Sequence, residues 1–258
     1  MIGISIDEAE CKPFKSVRHC RRAALRARIH GVQAVTHAVR ILLILLLCLT
    51  PAVCGASVDA PQCLTRDAAD SLEFVAAKAK LSEKELLARL VYAEALSTGF
   101  GDDALVHEAI AWGVMNRVRL AGRSESMKKS YGSGIRGVVF KKGQFNPAVS
   151  PRSPFSRDFL CPKERTIWRL AVAAAGKAMA GERNPLIQTP WEQEHSLSLV
   201  VNFYYPKSMQ AKGPYPPWEG SGGLEFIGDV MIGDKLLPAE QIRFYRLARP
   251  PADLRPGK

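Results

Sequence analysis

Residues 86–103 read "LLARLVYAEALSTGFGDD". Leu87, Leu90, Val91 and Glu94 fall at i, i+3, i+4 and i+7, the repeat of one buried helix face. The fourth member is a carboxylate where another apolar residue is expected. Burial there would strip its water, disfavour the charged form and raise its pKa. A carboxyl still protonated near neutral pH can donate a proton to a leaving oxygen, as glycosidic cleavage requires. The bland alternative is a structural glutamate paired with Arg89 or with a backbone amide. Gly99 and Gly101 permit a sharp turn after the helix, leaving its end facing a cleft.

Working outward, Ser82 followed three residues later by Glu85 predicts a capping box at the start of this helix. A helix over residues 67–80 precedes it. Asp102 or Asp103 caps a strongly apolar helix, "ALVHEAIAWGVMNRVRL", which is apolar on most sides and therefore central. A Ser, Lys and Gly-rich stretch follows, then a short apolar piece "GIRGVVF" and a loop "KKGQFNPAVSPRSP". Another helix is predicted over residues 162–180, ended by Gly181. After Pro190 the pattern turns β-like in "SLSLVVNFYYP", "LEFIGDVMI" and "IRFYRL", with a Pro, Gly and Trp-rich loop between. Helices first and a small strand region last predict an α+β domain over residues 67–247. Residues 248–258 are Pro-rich and read as a loose tail.

The N-terminal part reads differently. Arg40 precedes the nine-residue apolar run "ILLILLLCL", followed by Pro51 and the small residues "AVCGAS". Residues 40–56 therefore read as a signal peptide. The run is far short of the roughly 20 residues that span a bilayer. Residues 1–39 are basic and without folded pattern: either an over-extended start or the cytoplasmic tail of an uncleaved anchor. Residues 57–66 form a strap. Four of the six cysteines precede residue 57, leaving Cys63 and Cys161. Two cysteines in an exported domain predict a disulfide from the strap to the start of the late helix. Residues 1–56 hold eight of the 36 basic and three of the 25 acidic side chains, so the remainder keeps +6 of the chain's +11. A moderately basic exported domain suits an anionic polymer. No arginine stripe with interleaved aromatics points to nucleic acid.

The blocks "LARLVYAEA", "ALVHEAIAWGVMNRV", "GVVFKKGQF", "NFYYPKSM…PPW" and "FIGDVMI" follow in an order that resembles the spore cortex-lytic (SleB-like) family of cell wall hydrolases. The resemblance runs over residues 86–232. It implies a lysozyme-like fold, a helical lobe with a small antiparallel β region, with Glu94 at the position of the catalytic acid. It implies cleavage of peptidoglycan between N-acetylmuramic acid and N-acetylglucosamine, as lytic transglycosylases do. That route ends in a 1,6-anhydro sugar and needs neither a protein nucleophile nor a metal or other cofactor. Gln144 and Phe145 match the family's "GQF" turn, where Gln144 is placed to bond a sugar N-acetyl group. The family pattern has Thr-His where this chain has Val201-Asn202, and Ser where it has Asn146.

Strand alternation places Val200, Asn202 and Tyr204 on one side and Val201, Phe203 and Tyr205 on the other. The first set is expected to line the cleft and the second to face the core. Tyr204 and Trp218 are candidate sugar-stacking platforms. Asn116 is expected to bridge its helix to the Glu94 region, and Glu108 to be a satisfied acid in support. Asp102, Asp103 and Glu108 are the acids nearest in sequence, and none reads as a nucleophile. Beyond residue 56 only His107 and His195 remain, without an HxxE/H or CxxC cluster, so a zinc amidase is disfavoured. The alternatives kept open are an ordinary hydrolase (muramidase or amidase) and a non-catalytic wall-binding domain. The expected partner is the peptidoglycan glycan strand, bound by a monomer in the periplasm or cell wall. Membrane contact is expected only through the N-terminal signal or anchor.

Overall fold

Nine helices and five short strands succeed one another over residues 60–255, the part of the chain that the computed structural model describes. The expected extension and signal peptide lie outside the described residues.

Helix α1 (Leu72–Lys78) is shorter than the predicted 67–80. Asp67 to Asp70 closes as a turn, and Ser71 caps the helix by accepting from the Phe74 amide at 3.0 Å. Helix α2 (Glu83–Thr98) starts at Ser82, whose hydroxyl accepts from the Glu85 amide at 3.1 Å. The reciprocal half of the capping box is not made. Glu85 instead turns its carboxylate to Arg89 at 2.8 Å. Residues 86–95 are buried on every side, so the apolar stripe belongs to a helix that runs through the centre. Gly99 ends it in the left-handed region at φ +84°, which a residue with Cβ rarely adopts.

Helix α3 (Ala104–Arg123) is capped by Asp103, which accepts from the Leu105 amide at 2.9 Å. Helix α8 (Arg165–Ala180) ends at Gly181, as predicted. Helices α2, α3 and α8 pack on one another, and Leu86, Leu90, Ile110, Trp112 and Ala175 form much of the core between them.

Between α3 and α8, the segment expected to be mostly loop folds as four short helices, α4 (Glu125–Tyr131), α5 (Gly134–Val139), α6 (Asn146–Val149) and α7 (Ser156–Leu160). Helices this short do not persist alone in water. Burial of Tyr131, Val138, Val139, Ala148 and Phe159 against the core holds them. Helix α9 (Pro190–His195) was also not anticipated. It begins with a complete capping box between Thr189 and Glu192.

Strands β1 (Val200–Tyr204), β5 (Arg243–Leu247) and β2 (Leu224–Phe226) form an antiparallel sheet in the order β1-β5-β2. Strands β3 (Val230–Ile232) and β4 (Lys235–Leu237) form a separate antiparallel pair. The architecture is α+β, with the small sheets after the helices. A register shift between Val200 and Asn202 breaks the alternation, and Val200 and Val201 are both fully buried. Strand β1 lies flush on α3 at Gly113, where an added Cβ would stand 2.7 Å from the Phe203 ring.

Both ends of the described segment are fastened. Cys63 and Cys161 form a disulfide that closes a separation of 98 residues. Beside it the Leu64 amide donates to the Leu160 carbonyl at 2.9 Å, and Arg89 donates to the Gln62 carbonyl at 2.7 Å. The C-terminal segment is not loose as far as residue 255. Pro251 is buried, Ala252–Leu254 forms a 3-10 turn, and Ser124 donates to Asp253 at 2.9 Å.

Candidate active site

Glu94 sits in the last turns of α2 with its side chain on the wall of a 510 Å³ cleft. The residue is 5% exposed, and its carboxyl takes part in no ion pair or hydrogen bond of good geometry among the described residues. Burial pushes this carboxyl up to about 7, against the restraining effects of Tyr205 and of the Arg117 charge. The structural alternative for Glu94 fails on partners. Arg89 is committed to Glu85 and to the carbonyls of Gln62, Phe159 and Leu160.

Glu192 supplies an internal comparison. It is fully buried, yet it accepts from the Gln188, Thr189 and Leu199 amides at 2.7–3.0 Å, and it pairs with Arg246. Those donors outweigh its desolvation and hold its carboxyl below the usual range. Two buried glutamates are thus driven in opposite directions, Glu94 by desolvation and Glu192 by its donors. The satisfied one is structural, and the unsatisfied one faces the cleft.

Arg117 stands across from Glu94 and was not anticipated. It lies on the α3 face of Ile110, Gly113 and Val114, the same i, i+3, i+4, i+7 repeat that carries Glu94 on α2. The signal was therefore present in the sequence. The guanidinium donates from Nε to the Val201 carbonyl and from Nη1 to Gln144 Oε1 at 2.6 Å. It lies against the rings of Phe145 at 4.7 Å and Phe203 at 5.1 Å. Tyr205, expected to face the core, turns its hydroxyl to Glu94 from just past the end of β1. That hydroxyl is buried and leans on the carboxyl without aligning a full hydrogen bond to it. Burial and the neighbouring Glu94 keep the phenol protonated far into alkaline pH. Ser97 and Tyr131 complete the inner wall.

Gln144, Asn202, Tyr204 and Trp218 line the cleft, as expected. Phe145 does not. At 1% exposure it packs beneath Arg117 and Phe203, so it is a core residue. Tyr204 and Trp218 meet edge-on at 6.1 Å, and the Tyr204 hydroxyl donates to the Gly213 carbonyl at 2.7 Å. These rings brace the Pro and Gly-rich loop as well as facing the cleft. The Trp218 indole N–H is buried without a protein acceptor among the described residues.

Asn116 bridges α3 to the Val200 carbonyl at 2.9 Å and to Asn184 at 2.7 Å, not to Glu94. Glu108 pairs with Lys177 at 2.9 Å and stays outside the cleft. Neither Asp102 nor Asp103 reaches it. Among the described residues, Glu94 is the one acid that lines the cleft. Among them too, no group of three His, Cys, Asp or Glu is arranged to hold a metal, and no helix is long and apolar enough to cross a membrane.

A larger cavity of 660 Å³ lies between the strap, α1, α2 and α8. Its one acid, Glu85, is paired with Arg89, so it offers no poised proton donor. Comparison with protein-family models, curated proteins and solved structures finds no match to this chain.

Proposed function

We infer that this domain cleaves the glycan strands of peptidoglycan as a lytic transglycosylase, with the lysozyme-like arrangement and SleB-like kinship that the motif order suggests. The observation that carries the reading is a desolvated carboxyl on a cleft wall that no second acid lines among the described residues. Protonated Glu94 donates to the glycosidic oxygen as the bond to C1 of N-acetylmuramic acid breaks. The carboxylate then takes the proton of the C6 hydroxyl, whose oxygen closes onto C1. The products are a free 4-hydroxyl and a 1,6-anhydro end, and Glu94 regains its starting state. A pKa near the working pH suits a group that must act first as acid and then as base. An ordinary glycosidase would want a second carboxylate at a set distance. Export to the periplasm or cell wall is part of the same reading, and the Cys63–Cys161 disulfide suits an oxidising compartment.

Mass spectrometry of digested sacculi tests the reaction. Anhydro ends, lighter by one water than reducing ends, support it. Reducing ends would point to a hydrolase with a recruited water, and intact sacculi would leave only a binding role.

A further inference from the structure

One face of the three-stranded sheet runs outward from the cleft. Asn202 on β1 pairs with Tyr245 on β5, and Tyr245 with Phe226 on β2, while Tyr204 pairs with Arg243. Directly paired residues share a face, as do residues two apart on one strand. Asn202 and Tyr204 line the cleft, so Tyr245, Arg243 and Phe226 continue its surface across the sheet without lining it themselves. Phe226 stands two strand spacings from Asn202, about 10 Å, on the strand at the far edge.

Trp218, which does line the cleft, meets Tyr204 at 6.1 Å and Tyr245 at 6.4 Å, and so covers the middle of that face. Past it two large rings lie open to solvent, Phe226 at 42% exposure and Tyr215 at 60%. Both are held by one guanidinium. Arg243 lies 3.9 Å from the centre of the Phe226 ring and 4.8 Å from that of Tyr215. It is itself fixed by donating to the Tyr245 hydroxyl at 2.9 Å and to Glu219 at 3.0 Å. The loop that carries Tyr215 is fastened on one side by the Tyr204 hydroxyl on the Gly213 carbonyl and on the other by Trp218. Exposed rings already held in place lose little freedom when a ligand settles on them. An exposed aromatic patch continuous with a cleft marks a place where a ligand extends. The charges at these rings, Arg243 and Glu219, pair with each other, which suits an uncharged ligand with an apolar face and hydroxyls at its edge. A pyranose ring has that form.

We propose that Phe226 and Tyr215 form an outer sugar-stacking platform that continues the Glu94 cleft, so that the domain binds long glycan strands in preference to short fragments. The inference rests on the glycan reading for the identity of the ligand. It adds a second contact area on the same strand, outside the cleft, made to the faces of sugar rings.

Binding is measured in a Glu94→Gln background, so that ligands stay intact. The ligands are peptide-free strands of alternating N-acetylglucosamine and N-acetylmuramic acid, a tetrasaccharide and an octasaccharide. The Glu94→Gln protein is expected to bind the longer strand about tenfold more tightly, the scale of two aromatic contacts. Adding Tyr215→Ala and Phe226→Ala together should remove that advantage and leave the tetrasaccharide affinity unchanged. The unchanged ligand also serves as the check that the variant is folded. Should the double variant not fold, Tyr215→Ala alone, at an exposed loop position, is expected to lose about threefold on the octasaccharide only. Equal affinity for the two lengths before the rings are removed overturns the proposal. So does an octasaccharide advantage that survives their removal, which would leave the rings to a protein partner. Cleavage of sacculi by the parent protein is scored separately, so a wall-cutting protein indifferent to strand length sinks this inference alone.

Discussion

Arg117 lies within electrostatic reach of Glu94 yet forms no ion pair with it, while its Nε and Nη1 are held by the Val201 carbonyl and Gln144. The charge therefore moderates the carboxyl from a distance. A direct salt bridge would hold Glu94 ionised and useless as an acid. The separation leaves burial as the larger influence.

Replacing Glu94 by Gln is expected to lower wall cleavage at least about a hundredfold, the lower end of what a positioned acid–base group contributes. Turbidity loss of purified sacculi reads this out. Full-speed clearing by the variant would end the acid–base assignment.

The same carboxyl makes stability depend on pH. Its folded pKa of about 7 lies above the ordinary 4.5, so between these values the folded state binds more protons than the unfolded one. Stability then falls as pH rises through that window and levels off above it, by on the order of 3 kcal/mol in total. Chemical denaturation at pH 4.5 and pH 8 should show Glu94→Gln gaining on the parent by about that amount. A constant difference would contradict the burial argument.

In the proposed reaction, one group must be protonated for the first step and ionised for the second. The rate profile should peak near pH 7 and fall on both sides. Arg117→Met removes a positive charge that lowers the Glu94 pKa, so the peak should move to higher pH. The variant also orphans the buried Val201 carbonyl and should lose about 1 to 3 kcal/mol of stability. Arg117→Lys keeps the charge, and its peak should stay near that of the parent.

Glu192 should behave in the opposite way. Its carboxyl is held low by buried donors, so its contribution is present above the ordinary 4.5 and is lost as pH falls through the folded value. Glu192→Ala is expected to cost about 3 to 5 kcal/mol, because Arg246 and three backbone amides lose their acceptor. Thermal unfolding should show that loss, and equal destabilisation by Glu94→Ala would erase the distinction between the two acids.

Reducing the Cys63–Cys161 disulfide frees a 98-residue separation. The chain-entropy relation puts the loss near 4 to 5 kcal/mol. Neither cysteine lines the cleft, so reduced protein below its melting temperature should keep its pH optimum.

The long helices were legible because each carries its own start and stop, such as Ser82, Asp103 and Gly181. Glu94 was legible because an acid breaks an apolar repeat. The helices between residues 124 and 160 were not, since their hold comes from burial of single residues such as Tyr131 and Phe159, with no period of their own. Tyr205 was assigned to the wrong side because two-residue alternation was carried past Tyr204, where the strand ends. Phe145 matched a motif, but its ring fills the space under Arg117. Arg117 obeys the same repeat as Glu94, but a cation on an apolar face reads equally well as a side chain reaching out to solvent.

Gly113 gives the arrangement its narrowest tolerance. A methyl there would press on the Phe203 ring and lever the first strand off its supporting helix. Tyr205 follows directly on that strand, so solvent would enter behind it and the carboxyl would revert to ordinary behaviour. A gap one carbon wide, in a residue with no chemistry of its own, keeps the back of that carboxyl dry.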